Sequence, residues 1–93
     1  MMTKLYTVNL ADVTSEDELH DRLGQILEAP EWYGRNMDAL HDCLTDLSGR
    51  VIITGSAEAK KHLQERIDLL RQVCRDAMDE NPRLWVYFTG SPE

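Results

Sequence analysis

No run of this chain approaches the roughly 20 consecutive apolar residues that a membrane-spanning helix needs. The opening Met1-Met2-Thr3-Lys4 leads into a strand-like segment and not into the apolar stretch of a secretory signal. Only two cysteines occur, Cys43 and Cys74, without C-x-x-C or metal-ligand spacing. They read as free, buried thiols of a reducing compartment, not as a disulfide frame or a zinc site. A phosphate-binding glycine loop is missing, because Thr54-Gly55-Ser56 is short and no lysine follows at the required spacing. Positive charge is scarce: Lys and Arg total 10 against 17 Asp and Glu, for a formal net charge of -7 and a pI near 4.8. Such a chain repels nucleic acid and anionic membrane surfaces and draws basic proteins toward it. Internal repeats, low-complexity segments and linkers are also lacking, so residues 1–93 read as a single domain with one modest core.

What is present divides into alternating strand and helix signals. Residues 5–10 alternate apolar and β-forming polar side chains, predicting a strand. Ser15 and Glu18 make a capping box ahead of Leu19, Leu23, Ile26 and Leu27, which share one helical face, and Pro30 stops that helix. A second helix starts at an Asn36 N-cap and runs to about Leu47, with Met37, Leu40, Leu44 and Leu47 as its apolar stripe and Cys43 beside it. Residues 51–54 are almost wholly apolar, the pattern of a strand buried on both faces. Gly55-Ser56 opens a long helical region carrying Leu63, Ile67, Leu70, Cys74 and Ala77, with a break expected near Gln64 to Arg66 and an end at Asn81-Pro82. Residues 84–89 form the last strand. Strands separated by helices predict an α/β fold with a parallel sheet and right-handed crossovers. His20 and His62 fall on predicted helix surfaces, and pairing among Asp68, Arg71 and Arg75 accounts for a small basic cluster.

The second helix has an unusual outer side. Asp38, Asp42 and Asp46 follow one another at i, i+4 spacing with Thr45 between them, so like charges are neighbours. Each such pair costs an isolated helix a few tenths of a kcal/mol, roughly the size of the gain from an opposite pair. Asp38 recovers part of this from the helix dipole, whereas Asp46 stands at the negative end and recovers nothing. Solvated aspartates on a helix are commonly plain surface. Trp32 and Tyr33 just upstream supply the aromatic component that turns an acidic face into a candidate interface, with Tyr33 expected to cover the end of the core and Trp32 to face outward.

The run Tyr33-Gly34-Arg35-Asn36-Met37-Asp38-Ala39-Leu40-His41-Asp42-Cys43-Leu44-Thr45, written Y-G-x-N-x-D-A-L-x-D-C-L-T, resembles the signature of the barstar family, small intracellular proteins that plug the active sites of ribonucleases. The likeness extends to Val73, Arg75 and Ala77 and to the placing of the last strand. It implies three parallel strands in the order 1-2-3 packed with about four helices. It also implies a partner-binding surface made of Trp32, Asn36, Asp38, His41, Asp42, Thr45 and Asp46, with Asp76 contributed by the long helix. On that reading the protein is a cytoplasmic immunity protein, monomeric when free, that binds a basic ribonuclease one to one, needs no cofactor and catalyses nothing. Asp42 is expected to occupy the place of a substrate phosphate among Arg, Lys and His side chains.

Departures fall on the same surface. His41 stands where a large aromatic is expected, Asp46 where glycine is common, Leu47 where an aromatic is common, and Arg35 where the residue is often acidic. These changes bear on which nuclease is recognised. Two other readings compete: an acidic adaptor docking a basic protein that is not a nuclease, and a small metal-binding or enzymatic domain using Asp38, His41 and Asp42. The last is weakened because an exposed helix face offers no pocket, and a metal needs three or four converging ligands.

Overall fold

The computed structural model describes residues 4–29, 33–34 and 36–89. In chain order it contains β1 (Lys4–Asn9), α1 (Glu16–Ile26), α2 (Met37–Thr45), β2 (Gly49–Thr54), α3 (Ser56–Glu80) and β3 (Leu84–Thr89). The three strands form one parallel sheet in the order β1-β2-β3, in register so that Tyr6, Val51 and Val86 stand in one row and Val8, Ile53 and Phe88 in another. The α/β class, the parallel pairing and the strand order agree with expectation. The helix count does not: the described residues hold three helices instead of about four. The break expected near Gln64 to Arg66 is a single residue, Leu63 (φ -133°, ψ 48°), inside α3. Because helical geometry resumes at once, no loop separates two helices; Lys60 before the break pairs with Asp68 after it at 3.1 Å.

Period-two alternation aims one side of the sheet at the helices. Tyr6, Val8, Val51, Ile53, Leu84 and Val86 are buried there, against Leu19 and Leu23 of α1, Leu40 and Leu44 of α2, and Ile67, Leu70, Cys74 and Ala77 of α3. These positions form one core cluster. The opposite side differs from the sequence expectation for β2, since Ile52 and Thr54 are only half-buried. Leu5, Trp85 and Tyr87 on that side are exposed, the two aromatic rings stacking at 6.3 Å and 13°.

Caps and close approaches set the element ends. Ser15 Oγ accepts from the Glu18 N–H at 3.2 Å, and Glu18 Oε1 reaches back to the Thr14 N–H and hydroxyl, so the capping box forms with its return bond one residue upstream. Arg22 joins α1 to the end of β1 by donating to the Asn9 carbonyl at 2.7 Å and to Asp12 at 2.9 Å. At the foot of α3, Gly55 has φ 73°, a conformation that disfavours side chains, and a Cβ there would run into the backbone of Ala11. Two independent penalties therefore meet at one residue. Gly55→Ala is expected to lower unfolding stability by about 2–4 kcal/mol, read as a fall in the urea midpoint with an unchanged slope. An unshifted midpoint would show that the β1–α1 turn yields freely.

Candidate functional site

The helix α2 is short, so its ends matter. Asn36 caps it: the side-chain Oδ1 accepts from the Ala39 N–H at 2.8 Å while the Asn36 carbonyl takes the first helical bond from Leu40 at 2.9 Å. Its Nδ2 donates to the Gly34 carbonyl at 3.3 Å, tying the cap to the preceding turn. Met37, Leu40 and Leu44 are buried beneath, and Leu47 packs against the core. Met37, Leu40 and Leu44 of the stripe read from the sequence are thus the helix's buried side, whereas the helix ends at Thr45 and not near Leu47, which lies beyond it and is half-buried. At the other end, the Thr45 hydroxyl donates to the Asp42 carbonyl at 2.9 Å, and the buried Asn81 side chain donates to the carbonyls of Leu44 at 3.1 Å and Leu47 at 2.7 Å. These bonds satisfy acceptors that a helix C-terminus otherwise leaves open.

On the outer side, Asp38, Asp42 and Asp46 are exposed, Asp46 being the C-cap and no basic residue occupying the last turn. Asp42 keeps 72% of its side chain in solvent. His41 is half-buried and reaches across to α3, placing Nε2 2.9 Å from Glu80 Oε2, while its Nδ1 lies 3.9 Å from Asp42 Oδ1. Asp76, one turn before Glu80 on α3, is exposed and accepts from Gln72 Nε2 at 2.9 Å. The structure therefore joins His41 to the C-terminal end of α3, with Asp42 beside the ring, Asn36 as the N-cap, Thr45 bonded back to the Asp42 carbonyl, and Asp38 and Asp46 in open solvent. Trp32 lies outside the described residues.

Glu80 and Asn81 were not anticipated. Glu80 carried a usable signal, since it repeats Asp76 at i, i+4 on the long helix; Asn81 read only as a helix stop before Pro82. His20 also departs from its predicted surface position. It is buried, with Nδ1 2.7 Å from the hydroxyl of Tyr33, and Tyr33 packs against the core as expected. The pairing assigned to Asp68, Arg71 and Arg75 is replaced by others: Asp68 meets Lys60, and Arg71 lies over the Phe88 ring and donates to Ser56 Oγ.

The thiols suit quiet roles. Cys43 is held above the usual thiol range by burial and by the charges of Asp42 and Asp46, which disfavours the thiolate a nucleophile requires. Burial pushes Cys74 up to about 12. Among the described residues no three His, Cys, Asp or Glu side chains are grouped to hold a metal ion, and no helix is long and apolar enough to cross a membrane.

Comparison with known proteins adds to this geometry. Residues 3–89 match the family model described as "Barstar (barnase inhibitor)". The chain is also 35% identical over 72 residues to the Bacillus subtilis (strain 168) protein named "Putative ribonuclease inhibitor YrdF", covering 74% of this chain and 79% of that one.

The clamp beneath the acidic helix can be tested apart from any partner. Asn81→Asp keeps the side-chain shape but replaces the donating amide with an acceptor facing two carbonyls. Stability in urea is expected to fall by about 2–3 kcal/mol; a midpoint equal to that of the parent would mean that the two bonds contribute nothing.

Proposed function

The chain belongs to the barstar family, and from that membership we propose that it is an inhibitor of a basic ribonuclease, blocking the enzyme's active site with the outer side of α2. The observation that carries this reading is Asp42: an exposed carboxylate on a helix capped at one end by Asn36 and clamped at the other by Asn81. Ribonuclease sites hold a phosphate with cationic side chains, and a carboxylate already fixed in place can meet those cations without a large ordering cost. Asp38 and Asp46 extend the negative field along the helix, and Asp76 extends it onto α3. A net charge of -7 steers the approach of a basic enzyme and makes association sensitive to salt. Inhibition on this reading is occlusion in a one-to-one complex. It needs no cofactor and no bond is made or broken.

The cost of carrying the surface is small. Like charges along α2 oppose helix formation by a few tenths of a kcal/mol per pair, and burial of Met37, Leu40 and Leu44, about 1.5–3 kcal/mol for each side chain, outweighs them. The acidic positions can therefore be set by the partner while the apolar ones hold the helix.

The test is cleavage of a fluorogenic RNA by barnase and a panel of other small basic ribonucleases, with the protein added up to and beyond stoichiometry at low and moderate salt. Inhibition of a member that saturates at one equivalent is expected. Asp42→Ala should weaken that inhibition by about a hundredfold or more, while shifting unfolding stability by no more than about 0.5 kcal/mol, as befits an exposed side chain. Full inhibition by Asp42→Ala would remove the role given to this residue. Salt-sensitive binding to basic proteins with cleavage unaffected would favour the adaptor reading instead.

A further inference from the structure

His41 is the only residue of α2 that is both part of the proposed contact surface and ion-paired to another helix in the described structure. Its Nε2 lies 2.9 Å from Glu80 Oε2 on α3, and its Nδ1 lies 3.9 Å from Asp42 Oδ1 on its own helix. The ring is 29% exposed, against 60% for Glu80 and 72% for Asp42, so it sits deeper than the carboxylates that flank it. Among the described residues, the charged groups paired with the ring are acidic, Glu80 of α3 at 2.9 Å and Asp42 of α2 at 3.9 Å, while Asp38 stands one turn before His41 on α2 and Asp76 one turn before Glu80 on α3. Histidine is the side chain whose ordinary charge change falls between pH 5 and 8.

We propose that His41 is a proton-linked specificity residue of the inhibitory surface, one whose proton leaves when a cationic active site docks. The inference rests on the inhibitor reading above. In the free protein an imidazolium at this position stands beside the Glu80 and Asp42 carboxylates and cancels part of the acidic field. Docking brings the partner's Arg, Lys or His groups onto Asp42 and excludes water. The counter-charge of the ring is then shared with the partner, and an imidazolium would face cations in a desolvated contact. A neutral ring avoids that repulsion and can accept a hydrogen bond from a cationic donor through one nitrogen. Each complex formed from protonated free protein thus sends one proton from His41 to solvent. The bound state holds fewer protons than the free state, so acid favours dissociation. Affinity is highest above the histidine range and falls below it, by up to tenfold per pH unit.

The measurement is isothermal titration calorimetry of the full chain with barnase, or with whichever member of the ribonuclease panel is inhibited, in two buffers of different protonation heat at pH 6, and a Kd series from pH 5.5 to 8. His41→Gln is the comparison, and His41→Phe is a second uncharged replacement that should behave alike. The parent is expected to release up to one more proton per complex than either variant, and to lose up to tenfold more affinity for each pH unit of acidification. Since the nuclease titrates identically in every arm, the difference belongs to His41. Equal proton counts and parallel affinity profiles, with all three proteins binding, would overturn the proposal and leave the inhibitor reading standing. Absence of binding by parent and variants to every nuclease at every pH would remove the inhibitor reading and this inference with it.

Discussion

The Asn81 side chain is the interaction on which the arrangement of the site depends. It is almost fully buried, and each of its polar atoms is used: Nδ2 donates to the Leu44 and Leu47 carbonyls, and Oδ1 accepts from the Arg83 N–H at 3.1 Å. The Arg83 carbonyl in turn accepts from the Gly49 N–H at 3.0 Å. Four element ends therefore meet at one amide: the close of α2, the close of α3, and the starts of β2 and β3. A buried amide so placed is costly if any partner is missing and specific when all are present. Gly49 is fitted to the same junction, since a Cβ there would come within 2.6 Å of the Lys4 carbonyl oxygen. Glu80, the residue before Asn81, lies 2.9 Å from the His41 ring.

Much of the frame was legible because local signals and burial agree. The Leu84–Thr89 strand was read with its observed bounds, and the Asn36 cap, the Ser15 and Glu18 box and the Met37, Leu40 and Leu44 part of the α2 stripe formed where residue type and spacing put them. The misreadings share a cause. His20 looked like a surface residue because it lies outside the leucine repeat of α1, yet Tyr33, 13 residues later, supplies a hydroxyl that makes its burial tolerable. Arg71 was matched to Asp68 by helical spacing, but a ring from β3 lies nearer to its guanidinium than spacing alone could reveal. Partners far apart in sequence leave no periodic trace. The kink at Leu63 belongs with these, since a break was foreseen but its brevity was not.

For the site, sequence spacing supplied the charges and tertiary packing supplied their setting. Asp38, Asp42 and Asp46 could be placed outward from the 3.6-residue period alone, and they are exposed. Nothing in that period reveals that Glu80, 39 residues beyond His41, completes the acidic group, because the contact is made only when α2 packs on α3. Recognition of the 33–45 motif singled out α2. The difference between His41 and its neighbours came from the structure.

The departures from the family pattern are not equivalent once they are placed in the fold. Asp46 is an exposed C-cap, so exchanging it for the usual glycine changes charge at the surface and little underneath. His41 and Leu47 are different. Leu47 packs against the core, and its carbonyl is one of the two held by Asn81; His41 is half-buried and bound to α3. At position 41 this chain sets an imidazole against the Glu80 carboxylate of α3, beside the apolar contacts that join the two helices. Apolar contact does not respond to protons, whereas an imidazole–carboxylate pair does. The seam between α2 and α3 and the charge on the outer side of α2 therefore share one ring, so a substitution at this position alters how the two helices are joined as well as the charge displayed.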